Sequence, residues 1–245
     1  MIAIDGLPAV EAGPAWHLVT RMSDLWRQVN NFRAALSLLH NINAALAPMD
    51  GLIVEANRAL AHHRTGERLG QLLDQKGMIV HWREIPIRDA ALTVFHCGRI
   101  LESIKSGFGD CPAFRAEVEH KKLKAARKMF ETHFGDYEQI RHAIAHAGEV
   151  AYTREDAKKN AFSGNHSSVG IKMTRVRDVR LTAVRGDCLI ITHQATAHSS
   201  HGKIFQMCLT PDSLLKLVQV ANTTYSAFDK AAEVLMEKAF PTKRG

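Results

Sequence analysis

Cysteine is scarce in this 245-residue chain, and its four cysteines include no C-x-x-C pair. The sequence therefore predicts neither a zinc knuckle nor a dense disulfide framework. No segment approaches the roughly 18 uninterrupted apolar residues of a membrane span, and the first residues lack the basic stretch and apolar run of a secretory signal. Repeats and low-complexity tracts are absent from the sequence as well. We therefore expect a protein of the reducing cytoplasm that makes no contact with a membrane.

Acidic residues are outnumbered by basic ones. The chain has 25 Asp and Glu against 32 Lys and Arg, a formal net charge of +7, in an ordinary globular composition that is 46% hydrophobic and 23% charged. Clustered Lys and Arg create a potential that attracts phosphates whatever the base sequence. The balance therefore favours acidic partners such as nucleic acid.

Apolar residues recur at helical spacing through the first 150 residues. They predict a long helix over 14–47, a helix over 50–77 that weakens near 62–66, a helix over 81–106 and a helix over 112–130. Glycines are expected to close several of these helices, including Gly77 at the end of the second.

After Gly164 the apolar pattern changes to alternation. Segments near 179–183, 188–190 and 204–208 predict short antiparallel strands, with Arg185-Gly186-Asp187 as a turn between two of them. Thr210-Pro211-Asp212 then begins a last helix, because a cap residue before Pro is typical of a helix start.

The expected fold class is therefore mostly α, a helical bundle with a small antiparallel β-sheet inserted before the C-terminal helix. We divide the chain into a bundle at 1–162, the sheet at 163–210, and a C-terminal helix at 211–245 that packs back on the bundle. The three parts can also form a single domain.

A polar cluster lies on the segment 139–149, which reads QIRHAIAHAGE. On an ideal helix Ile140, Ala143, Ile144 and Ala147 would face the core, and the opposite side would carry the polar residues. Arg141 and His146 would diverge by about 140° on that side. The small Ala145 between them lets a second helix approach, so a symmetric dimer would gather two arginines and two histidines around one cleft.

This segment resembles the R-x-x-x-x-H signature of the HEPN superfamily, with Arg141 and His146 at the fixed positions and His142 where that family favours a polar residue. The resemblance covers about 81–150. It implies a helical bundle that dimerises through the motif helices, and active members of the family are metal-independent endoribonucleases, often toxins or antiphage effectors. It therefore implies Arg141 and His146 as catalytic residues, a homodimer, RNA as substrate, and an antitoxin-like protein as a candidate partner.

The chemistry fits those residue types. Cleaving RNA requires deprotonation of a 2′-hydroxyl and stabilisation of charge on a phosphorane, which suit a histidine titrating near neutral pH and an always-protonated arginine. His146 is the candidate acid or base and Arg141 the phosphate clamp, with His142 and Glu149 in support and no cofactor. One alternative is an ordinary polar helix face, in which Arg141 pairs with Glu138 or Glu149 and the histidines are solvated. Another is a module of the same fold whose Arg/His face binds RNA or another nucleic acid, a nucleotide or a protein without turnover.

Two basic runs are candidates for contact with a nucleic-acid backbone. The first, on the exposed side of the fourth helix, comprises Lys121, Lys122, Lys124, Arg127 and Lys128. The second comprises Lys172, Arg175, Arg177, Arg180 and Arg185. Neither run is interleaved with aromatics for base stacking, and the ordinary interpretation of such a run is a solvated face.

Three histidines, His193, His198 and His201, are close in sequence near a predicted loop. They are the candidate ligands of a metal-dependent hydrolase. Because no cysteine or carboxylate lies beside them, we predict no metal site.

Overall fold

The computed structural model describes residues 4–60, 66–145, 161–168, 171–179, 182–185, 187–194 and 202–240. The first helix, α1, runs over Ala9–Leu46 and confirms the long predicted helix. Its buried positions recur every three or four residues, among them Leu18, Leu25, Phe32 and Leu39.

The second and third predicted helices differ in their bounds. α2 spans Met49–Leu60 and α3 spans Glu67–Trp82, so α3 continues past Gly77, which does not close it. α4 begins at Glu84, not near residue 81, and runs to Ser106. Pro86 lies in the first turn of α4, where its missing N–H costs no helical hydrogen bond.

The predicted fourth helix is two helices, α5 at Pro112–Glu117 and α6 at His120–Phe134. Val118 between them is extended, with φ −86° and ψ 138°. The Glu119 N–H donates to the carbonyl of Ala227 at 2.8 Å, which replaces a helical bond by a tertiary one. After Gly135 and Asp136, which separate the helices as predicted, α7 spans Tyr137–Ala145.

Two small antiparallel sheets follow. β1 (Phe162–Ser168) pairs with β2 (Ile171–Val179), and β3 (Thr182–Arg185), β4 (Cys188–Gln194) and β5 (Gly202–Cys208) form a sheet in that order. The β3–β4 register pairs Arg185 with Cys188, so Arg185 ends β3 and is not part of a turn as predicted. Gly186 of the predicted turn lies outside the described residues.

The central strand β4 departs from the predicted alternation. Cys188, Leu189, Ile190, Ile191 and Thr192 are all buried, so β4 is covered on both faces over this stretch. A middle strand buried on both faces has no polar side to alternate with an apolar one.

The C-terminal segment is also two helices, α8 at Pro211–Ser226 and α9 at Asp229–Ala239. The helix is interrupted at Ala227 and Phe228. Their N–H groups donate to the carbonyls of Thr224 and Tyr225, which are hydrogen bonds to the third preceding residue, as in a 3₁₀ turn. Phe228 is buried, and its ring lies 5.8–6.1 Å from those of Phe108 and Phe114. A buried aromatic anchor therefore divides what the pattern predicts as one helix.

The chain forms two compact units. The helical unit consists of residues 1–32, 93–138 and 211–245, and the sheet-bearing unit of residues 33–92 and 139–210. The predicted class, mostly α with small antiparallel β-structure before the C-terminal helix, is confirmed. The described strands form two sheets where one was predicted, and the C-terminal segment is two helices. None of the described helices has the length and apolarity needed to cross a membrane.

A buried carboxylate fixes part of the helical unit. Glu11 of α1 is only 6% exposed, and its oxygens accept the N–H groups of Ala113 and Phe114 at 3.0–3.2 Å. These are the first free donors of α5, which a helix cannot satisfy by itself. Glu11 thus joins the start of α5 to α1, and α5 contributes a residue to the cavity described below.

Candidate nucleic-acid interface

The motif helix α7 matches its two predicted sides in part, because Ile144, predicted to face the core, is only half-buried. Ile140 and Ala143 are buried, Arg141 is half-buried, and His142 and Ala145 are exposed. His146 and Glu149 lie outside the described residues, so the convergence of Arg141 and His146 in a dimer stays a prediction.

The start of α7 is anchored within the helical unit. The Tyr137 hydroxyl donates to Glu102 at 3.2 Å, and its ring packs on Phe130 with centroids 5.2 Å apart. Burial and the negative charge of Glu102 and Glu138 raise the pKa of Tyr137, so the hydroxyl is held in its protonated, donating form. Gly98 of α4 permits this contact, because a Cβ there would lie 2.5 Å from the tyrosine ring.

The first basic run lies on α6. Lys121, Lys124 and Lys128 are exposed and fall on one side of the helix by their spacing of three and four. The other two members are paired: Lys122 with Glu119 at 2.7 Å and Arg127 with Glu131 at 2.6 Å. The α6 surface available to a phosphate is therefore the row formed by the three exposed lysines.

A cavity of about 740 Å³ opens beside this row, within the helical unit. Its floor is apolar and mostly buried, with Leu101 and Ile104 from α4, Phe108 from the turn after α4, and Leu123 from α6. Thr224 of α8 completes the floor. We call this space the basic cavity because of the side chains at its edge.

Five cations surround the basic cavity, and we call them the rim cations. They are Lys105, Arg115, Lys124, Arg127 and Lys128. The one acid among the lining residues, Glu131, already pairs with Arg127. The other four rim cations have no acidic partner in the part of the chain that the structure describes. The rim is thus a site of concentrated positive potential that attracts phosphates.

Two aromatic side chains accompany the rim cations. The rings of Phe108 and His120 meet edge to face with centroids 5.3 Å apart. The Nε2 of His120 lies 3.0 Å from the Arg115 carbonyl oxygen. A carbonyl only accepts hydrogen bonds, so Nε2 donates.

Sequence reasoning identified three of the rim cations, Lys124, Arg127 and Lys128, and missed Lys105 and Arg115. It also missed Phe108 and His120. The only local signal is that His120 directly precedes the basic run. The missing residues lie on other segments, and the fold alone brings them to one cavity.

The other predicted candidates are only partly described. The second basic run and the histidines at 193, 198 and 201 have side chains outside the described residues. Across the residues that are described, no group of three His, Cys, Asp or Glu could hold a metal ion.

The four cysteines fall into one disulfide and two free thiols. Cys188 and Cys208 are register partners on β4 and β5 and form the disulfide. Cys97 and Cys111 are buried free thiols, and burial raises the pKa of Cys97 to about 12.

Fold and cavity together define a mostly helical protein with an apolar cavity surrounded by cations. In comparisons with known proteins, no family profile, curated protein or solved structure matches the chain. The resemblance to the HEPN superfamily therefore rests on the motif at 141–146.

Proposed function

We propose that this chain is an HEPN-like RNA-binding protein whose phosphate-binding surface is the rim of the basic cavity together with the exposed lysine row of α6. The observation that carries the proposal is the set of four rim cations without acidic partners, converging from α4, α5 and α6. Isolated surface lysines are commonplace, but cations from three elements around one cavity concentrate positive potential where a ligand can enter.

The lysine row suits a polymer. Lys121 and Lys128 are seven residues apart on α6, which separates them by roughly 10 Å along the helix axis. That length spans more than one phosphate of a nucleic-acid strand. The preference for RNA over other polyanions rests on the motif at 141–146, whose residue types suit chemistry on a 2′-hydroxyl.

The test is RNA affinity measured by fluorescence anisotropy at fixed salt. The double variant Lys124→Ala/Lys128→Ala should weaken binding about tenfold, because two phosphate contacts of roughly 0.7 kcal/mol each are lost. The matched control is Lys230→Ala/Lys238→Ala, which removes the same charge from exposed positions of the helical unit that do not line the cavity. Equal losses in both variants, or no RNA binding by the wild type, would refute the proposal.

A second candidate function, metal-independent RNA cleavage by a homodimer, is favoured by the outward side of α7. His142 is exposed and Arg141 half-buried there beside the small Ala145, while Ile140 and Ala143 are buried. In this proposal Arg141 stabilises the phosphorane and His146 transfers the proton of the 2′-hydroxyl, supported by His142 and Glu149.

Cleavage is tested by incubating purified protein with mixed RNAs in the presence of a chelator. Wild type should cleave, and His146→Ala should lower the rate at least a hundredfold, within the range for loss of a general acid or base. His133→Ala, a change at an exposed histidine of α6, is the control and should leave the rate unchanged. If the wild type binds RNA but cleaves it no faster than His146→Ala does, the catalytic proposal is refuted and the non-catalytic alternative is left.

A further inference from the structure

We infer that the basic cavity accepts one unstacked nucleobase of a bound RNA strand, so that the protein selects single-stranded RNA over a duplex. The inference rests on the proposed RNA binding and adds to it the class of RNA. It depends on the contrast between the floor of the cavity and its rim.

The floor of the basic cavity favours an apolar or aromatic group of the ligand. Ile104 and Phe108 are 1% and 4% exposed, and Leu101 and Leu123 extend the same apolar lining. A phosphate held by the rim cations would gain nothing from this floor. The volume of about 740 Å³ is of the size that encloses a small organic molecule, which in RNA is a base with its ribose.

The rim places charge on several sides of such a base. Lys105 comes from α4, Arg115 from α5, and Lys124 and Lys128 from α6. A strand that inserts one nucleotide brings the phosphates before and after it to the mouth, where these cations lie. The same cations attract the phosphates of a duplex, so charge alone does not discriminate.

The aromatic pair supplies the remaining contact. Phe108 and His120 both line the cavity. The exposed His120 ring is available to stack on a base, and the buried Phe108 ring supports it edge to face. Proteins that bind single-stranded nucleic acid combine a cationic groove with aromatic side chains on which bases stack. A base within a duplex is paired and stacked, and it reaches a pocket only if it is extruded. The cavity thus selects a strand with a free base.

The experiment compares three RNAs on the intact 245-residue chain: a 12-nucleotide single strand of mixed sequence, its duplex, and the same strand with abasic sites throughout. We expect the intact strand to bind at least tenfold more tightly than the other two. The abasic arm needs no protein variant, so it stays decisive if a cavity variant fails to fold.

Two variants separate the contribution of the cavity to RNA affinity from that of the rim cations. Leu123→Trp fills the cavity from a half-buried position and should lower single-strand affinity to the duplex level, with duplex affinity unchanged within twofold. Lys124→Ala at the rim should weaken both RNAs by the same factor.

The outcomes separate this inference from the proposed function. Equal wild-type affinity for strand, duplex and abasic strand would overturn the inference and leave RNA binding intact, as would equal losses for strand and duplex in Leu123→Trp. Absence of binding to every RNA would overturn both. Binding to phosphatidylglycerol vesicles that Leu123→Trp abolishes, without preference among the RNAs, would assign the cavity to a lipid and overturn the inference.

Discussion

The slope of RNA affinity against salt concentration should report how many rim cations contact phosphates. Four of them lack acidic partners among the described residues and are available to neutralise phosphates. Each phosphate neutralised on a single strand contributes about −0.7 to the slope of log K against log salt, so four contacts give about −2.8. Between 50 and 200 mM salt the affinity of the wild type should therefore fall about 50-fold.

The double variant Lys124→Ala/Lys128→Ala keeps two of the four contacts. Its slope should be about −1.4, and its affinity should fall only about sevenfold over the same range. The two proteins should therefore differ most at low salt and converge as salt rises.

The assay is fluorescence anisotropy of a labelled 12-nucleotide strand in a series of KCl concentrations. The control Lys230→Ala/Lys238→Ala should keep the wild-type slope, because neither residue lines the cavity. Parallel lines for the wild type and the Lys124/Lys128 variant would refute the reasoning, since the affinity lost would then be unrelated to phosphate neutralisation.

Three further predictions concern the fold and the dimer. Glu11→Ala leaves the first N–H groups of α5 without their buried acceptor and should lower the free energy of unfolding by about 2 kcal/mol in urea, and an unchanged midpoint would contradict this. Gly98→Ala forces a Cβ against a tyrosine ring and should lower the free energy of unfolding by about 1–3 kcal/mol, whereas Gly77→Ala, with open space around it, should raise it by about 0.5–1 kcal/mol. A Gly98→Ala protein that unfolds at a higher temperature than Gly77→Ala would be incompatible with the packing of α4 on α7. If each cleavage site combines an arginine and a histidine from different copies, mixing Arg141→Ala with His146→Ala should restore about a quarter of wild-type cleavage, and a mixture as inactive as its parts would argue against the composite site.

Local patterns in the sequence were sufficient for α1 and α7, because their apolar positions follow the helical period. The breaks within the fourth and last predicted helices were missed. Both depend on tertiary contacts: Glu119 donates to the Ala227 carbonyl, and Phe228 packs against aromatic rings distant in sequence. The spacing of apolar residues predicts a helical period, but it does not identify tertiary partners that are distant in sequence.

The residues of the candidate site likewise include some that the sequence predicted and some that it could not predict. Lys124 and Lys128 were identifiable because they lie four residues apart on one helix face, a spacing visible in sequence. Lys105, Arg115 and Phe108 were not identifiable, since each belongs to a different segment and they meet only after α4, α5 and α6 pack. The aromatic component that the basic run lacks in sequence is thus supplied by the fold.

The most direct test of the central claim is to locate the bound RNA. Photocrosslinking of a 4-thiouridine-substituted single strand, followed by mass spectrometry of the peptides, reports which side chains touch the bases. We predict the main crosslinks at Phe108 or His120 and their loss in Leu123→Trp. Crosslinks confined to the rest of the chain, with none between residues 101 and 128, would contradict RNA binding at the basic cavity.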